Sequence, residues 1–152
     1  MNVETIADVI HWSREVHRQL AECMERGWQE ESRERVRMLM AYISDHERRL
    51  DAVLKASEAD AGRGTLNTWF YDYVQANPEA MKMTCSLDGH TADTNSLLAY
   101  VLEMHEVLIR LYRYLAGRAH VETVREELDA LLSLEEHEAM RMARDAQRLD
   151  DL

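Results

Sequence analysis

Breakers are scarce in this sequence. It has one proline, Pro78, and five glycines in 152 residues. A chain with so few interruptions, rich in Leu, Glu, Arg, Ala and Met, favours long helices. No run alternates β-branched and polar residues, so nothing argues for a sheet. Cysteine is nearly absent: Cys23 and Cys85 form no CxxC motif and no disulfide framework. A reducing, cytoplasmic setting is the expectation, with Cys23 as a small core residue. No stretch of about 18 apolar residues exists to span a membrane. The first residues, "MNVETIADVIHW", show no basic region followed by an apolar run, so no signal peptide is expected. Positive charge is also in deficit. Lys and Arg number 18 against 29 Asp and Glu, a formal net charge of -11, which makes nucleic acid and anionic membranes poor partners. Gly-rich phosphate loops, nucleophile elbows and basic-aromatic patches are missing.

What remains is helix. Four long helices are expected: about Val3 to Arg26, ended by Gly27; about Glu31 to Glu58, with Ser32 as a possible cap; about Asp93 to Ala116, opened by the cap-rich "HTADTNS" and stopped by Gly117; and about Val121 to Leu149. The first pair and the last pair are each joined by a few residues, which makes antiparallel neighbours. Residues 59–92 separate the pairs, a long link for one compact domain. Within it "TLNTWFYDYVQANP" reads as a short aromatic helix stopped before Pro78, covering a bundle seam or building a dimer interface. The expected fold is all-α: one domain over residues 1–152, a four-helix bundle with a long crossover between the second and third helices.

Two stretches share a spelling, "SDHERRL" at 44–50 and "EEHEAMR" at 135–141. His46-Glu47 and His137-Glu138 lie 91 positions apart, and so do Glu15 and Glu106. A ligand must face the interior, and on a wheel at about 100° per residue each helix has one apolar stripe that does so. The first stripe runs Ile6, Ile10, Ser13, His17, Leu20, Met24, and the third Leu97, Val101, Met104, Leu108, Leu111, Leu115. These align at an offset of 91. The second stripe runs Val36, Leu39, Ile43, His46, Leu50, Leu54, and the fourth Leu128, Leu131, Glu135, Glu138, Met142, Leu149. These align at 92. Glu15, Glu106 and His137 fall on the outer faces, so the literal repeat misleads. The inward ionisable set is His17, His46, Glu135 and Glu138, within about two turns of a common level. Two imidazoles and two carboxylates suit iron, manganese or zinc.

Hairpin, crossover, hairpin, with inward polar pairs three residues apart, resembles the ferritin-like superfamily, rubrerythrin-type proteins included. That resemblance implies a Glu from each of two helices and a Glu-x-x-His pair from each of the others. This chain departs from the pattern. The second helix has Ile43-x-x-His46, the fourth Glu135-x-x-Glu138, the first His17 and the third Met104 and Leu108. The set therefore supports one divalent ion rather than a bridged pair.

Two functions stay open. One is a bundle protein holding a single transition metal ion at His17, His46, Glu135 and Glu138. The other is a metal-free interaction or regulatory bundle, in which buried His and Glu simply pair. Whether the chain is an enzyme is left undecided. A homodimer is expected. His11-x-x-x-Glu15 has hemerythrin-like spacing but lies on a polar face without partners.

Overall fold

A computed structural model of the chain describes residues 5–67 and 93–151. Every regular element among them is a helix: α1 (Ile6–Glu30), α2 (Glu34–Asp60), the short α3 (Arg63–Leu66), α4 (Thr94–Arg118) and α5 (Glu122–Asp150). The aromatic segment expected to form a helix lies outside the described residues beyond Asn67. Only Leu66, at its start, is seen to pack against the core.

Side-chain caps account for two of the helix starts. Thr5 caps α1 in a reciprocal box with Asp8, each satisfying the other's backbone N–H. Asp93 caps α4 by accepting from the Ser96 N–H at 2.7 Å. Ser32 does not cap α2. Arg33 occupies that position without a side-chain bond. Gly27 does not end α1 either, and the helix runs on to Glu30. Gly27 lies beside Met40, whose flexible side-chain end would be 2.9 Å from a β-carbon there. Cys23 is buried as a core side chain should be, but it is disulfide-bonded rather than free, which withdraws the argument for a reducing setting.

Two apolar clusters fill the space between the long helices. One joins Ile6–Leu20 of α1, Leu54 of α2, Leu108–Ala116 of α4 and Val124–Leu131 of α5. The other joins Met24 of α1, Val36–Leu50 of α2, Leu97 and Val101 of α4, and Met142 and Ala146 of α5. The start of α1 thus lies with the end of α4, and the end of α2 with the start of α5. So α1 runs opposite to α4, and α2 opposite to α5. Between the two clusters, on all four helices, the buried residues turn polar.

The two hairpins correspond at an offset of 88. Both α1 and α4 have 25 residues, and each of their ends is 88 positions from its counterpart. The starts of α2 and α5, "ERVR" at 34–37 and "ETVR" at 122–125, are also 88 apart. This corrects the offsets of 91 and 92. Sliding a helix by three or four residues turns it by about 300° or 400°, nearly back to the same face. An apolar stripe is therefore nearly blind to a slip of one turn.

Candidate metal centre

Each long helix places one ionisable side chain in the polar layer: His17 from α1, Glu47 from α2, His105 from α4 and Glu135 from α5. All four have no exposed surface. They form a ring in which imidazole and carboxylate alternate. His17 Nδ1 lies 2.5 Å from Glu47 Oε2, and His17 Nε2 lies 2.6 Å from Glu135 Oε1. His105 Nε2 lies 2.6 Å from Glu47 Oε1. The fourth edge, His105 Nδ1 to Glu135 Oε2, is 3.0 Å. It is an ionic contact only, because neither atom has an aligned hydrogen-bond partner.

The ring settles its own protonation. Both nitrogens of each imidazole face carboxylate oxygens, and an ionised carboxylate can only accept. Both rings are then imidazolium, and two positive charges meet two negative ones. For His17, burial acts strongly against the charged form. The attraction and hydrogen bonds of Glu135 and Glu47 override it and raise the pKa to about 9. His105 is raised well above its ordinary value, against burial, by the charges of Glu47 and Glu135 beside it. Glu135 is opposed by burial yet held down to about 2 by His17 and His105. Glu47 is lowered likewise, against burial, by His105 and His17. The phenol of Tyr112 lies against this layer and donates to Ser13 Oγ, which donates to Val9 O at 2.9 Å. Burial, and then the charge of Glu135, keeps that phenol protonated.

His17, His105 and Glu135 each offer a ligand atom within 4.8 Å of the others, and this group could hold a metal ion. The unaligned edge of the ring fits that use. His105 Nδ1 and Glu135 Oε2 are fully buried without the hydrogen bonds such atoms normally have. A cation between them would satisfy both. Imidazole nitrogen and carboxylate oxygen are the donors that iron, manganese and zinc accept. Glu47 touches the other nitrogen of each imidazole, His17 Nδ1 and His105 Nε2, the position of a carboxylate that orients the two ligand rings from behind.

The residues singled out from sequence divide in two. His17 and Glu135 are in the ring. His46 and Glu138 are not; they pair with each other, His46 Nδ1 to Glu138 Oε2 at 3.2 Å. His46 also stacks on Tyr42, with ring centroids 4.4 Å apart. Glu47 and His105 were missed. The wheel assigned Met104 to the interior stripe, yet His105 is the buried residue and Met104 only partly so. It also counted His46 inward without its neighbour Glu47, although both are buried, because the inward face of α2 is wider than one narrow stripe. The signal was the short repeat Glu-x-His-x-x-Leu, at 15–20 and again at 103–108, 88 apart. Glu47 and Glu135 are separated by the same 88. Of the residues placed outside, Glu106 and His137 are exposed, and Glu15 is partly so.

No family model, curated protein or solved structure matches the chain. The functional reading therefore rests on the geometry of these four side chains.

Proposed function

We propose that the chain is a four-helix bundle of ferritin-like architecture that binds a single divalent transition metal ion, iron, manganese or zinc, at His17, His105 and Glu135, with Glu47 holding the outer nitrogens of both imidazoles. The observation that carries this is the ring itself: one ligand-type side chain per long helix, all fully buried, with one edge left unaligned. Four convergent ionisable groups are more than packing requires, because each buried charge costs several kcal/mol, roughly, before it finds a partner. The helix directions support the architecture, since α2 ends where α4 also ends and α4 starts at the opposite end. This family likeness differs from the one read in the sequence. The donor set has a His from each of two helices and a Glu from a third, and no Glu-x-x-His pair.

Charge balance supports a divalent ion. Removing one proton from each imidazolium leaves two neutral imidazoles and two carboxylates, which a 2+ ion neutralises. The bound ion would supply Lewis acidity. The chain's own residues hold the donors in place and keep bulk water out.

The test is elemental analysis of the purified protein, followed by calorimetric titration of metal-stripped protein with Mn(II), Fe(II) and Zn(II). One equivalent is expected to bind, and the double variant His17→Ala, His105→Ala is expected to bind none. No uptake of any of the three would overturn the reading.

A second reading has its own observation. The ring is already neutral and nearly closed by proton-bearing imidazoles alone. A metal-free structural or regulatory bundle would keep it as a buried ion-pair network that fixes the register of four helices. Melting that no metal ion alters at any pH would favour this reading.

A further inference from the structure

The ring is fully buried, so an ion bound there must pass through the protein. The two-fold correspondence of the hairpins shows where. Alongside the ring, the seam between α2 and α5 carries His46, which precedes Glu47, and Glu138, three residues beyond Glu135 on the same face. Because α2 and α5 run oppositely, both residues step from the ring in the same direction along the seam. Tyr42 and Asp145 continue the line, with Tyr42 Oη donating to Asp145 Oδ2 at 2.8 Å. Exposure grows outward: the Glu138 side chain is 15% exposed and that of Asp145 is 25%. The counterparts 88 positions away are Ala130 for Tyr42, Leu134 for His46, Leu50 for Glu138 and Ser57 for Asp145. None of them is an acid, an imidazole or a phenol. The ring obeys the two-fold relation, and the imidazole and carboxylate beside it, His46 and Glu138, do not.

We propose that the α2–α5 seam lined by Tyr42, His46, Glu138 and Asp145 is the path by which a divalent cation reaches the ring, with His46 and Glu138 as its transient ligands. The inference rests on the metal-binding reading above. Packing the ring does not need these residues, since Leu50 and Leu134 serve on the other side. A cation does need them: carboxylate oxygens and an imidazole nitrogen replace its lost water in steps from surface to interior. One group at the mouth opposes entry. Arg141 Nη1 lies 3.5 Å from Glu138 Oε1, half exposed, and an incoming cation must displace it.

The experiment measures the rate and the endpoint of Co(II) and Zn(II) uptake by the metal-stripped protein in stopped flow, with the endpoint read against a chromophoric chelator. The test variant is His46→Leu with Glu138→Leu, which installs on this side the leucines the other side already carries. Uptake is expected to slow by about tenfold or more, the scale on which charged clefts raise encounter rates. Stoichiometry and final affinity are expected to stay within about threefold of wild type, because the ring is intact. Arg141→Ala, which removes the opposing charge, is expected to speed uptake several-fold at low salt. A double variant that loads as fast as wild type overturns this path and leaves the ring's metal binding standing. A loss of final affinity equal to the loss of rate also overturns it, since His46 and Glu138 would then be permanent ligands. If the wild type takes up neither of these ions, nor Mn(II) or Fe(II), the metal-binding reading falls and this inference with it.

Discussion

The first hairpin (α1 and α2) and the second (α4 and α5) are alike at their centres and unlike beside them. Each gives one His and one Glu to the ring, at positions 88 apart. Each has a buried valine one turn into its second helix, Val36 and Val124. Next to the ring they diverge. The first hairpin brings Tyr42 and His46, where the second has Ala130 and Leu134. The second brings Glu138 and Asp145, where the first has Leu50 and Ser57. The shared ring residues are ones the two halves contribute in pairs. At the seam the divergence puts an imidazole and a carboxylate, His46 and Glu138, where the other half has Leu134 and Leu50.

The strongest way to break this comparison is to remove one imidazole from each half. His17→Ala leaves Glu47 and Glu135 facing each other with only one cation, and His105→Ala does the same from the opposite side. Each is expected to destabilise the metal-free protein by about 3–5 kcal/mol, as when one partner leaves a buried ion pair. Urea denaturation in the presence of a chelator measures it. The two costs should agree within about 1 kcal/mol. A large loss for one and a small loss for the other would mean that the ring is not two-fold in energy.

The next test uses pH. His17 has a folded pKa of about 9, above its unfolded value of 6.5, so it stabilises the metal-free fold fully below about pH 6.5 and loses that contribution as pH rises through 9. His105 moves in the same direction. Glu135 is lowered to about 2, so its contribution is present above about 4.5 and lost as pH falls through 2. The metal-free protein should therefore be firmest, as far as the ring is concerned, between about pH 4.5 and 6.5, and weaken toward pH 9. Metal affinity should run the other way. Two imidazolium protons must leave, so between about pH 6.5 and 9 affinity should rise by up to a hundredfold per unit, roughly. Melting temperatures at pH 5.5, 7.5 and 9, with and without Zn(II), separate the trends. A metal-induced rise in melting temperature that is equal at all three values would contradict the exchange.

Much of the fold was legible in the sequence, and the reasons are local. Four long helices follow from the scarcity of breakers. The hairpin pairing follows from the short links at 31–33 and 119–121. The cap at Asp93 follows from the segment before Ser96. Gly27 misled because a glycine can end a helix or admit a neighbour, and only the position of Met40 decides between them. The site was half legible. His17 and Glu135 stood out as polar residues on apolar stripes. His105 and Glu47 were hidden by a slip of about one turn, which moves a residue along a helix while barely changing the face it shows. Only contact across helices distinguishes His105 from Met104.

A smaller effect sharpens the comparison at the seam. If His46 and Glu138 serve ion passage rather than folding, replacing both by Leu should alter stability by about 1 kcal/mol or less, because exchanging a buried ion pair for apolar residues of similar size is often neutral. Denaturation midpoints of the double variant and of each single variant measure it. The singles should be worse than the double, since each leaves one member of the pair without its partner. A double variant that loses several kcal/mol would make the seam structural and erase the contrast with Leu50 and Leu134.

The smallest expected effect concerns the residues that the literal 91-residue repeat would have made important: Glu15, Glu106 and His137. Glu106 and His137 are exposed. Glu15 accepts bonds from Arg18 and Gln19 on its own helix face, with 44% of its side chain open to solvent. His137 Nδ1 donates to the Ser133 carbonyl of its own helix. Surface interactions of this kind are worth little, so alanine at each position should change stability by about 0.5 kcal/mol or less. Metal uptake should not change at all, because none of the three reaches the ring or the seam. The same measurements as for His17→Ala supply the contrast: two residues of α1, two positions apart, with costs differing several-fold. If Glu15→Ala were as damaging as His17→Ala, the interior of α1 would have been assigned to the wrong face, and the ring built upon it would fall.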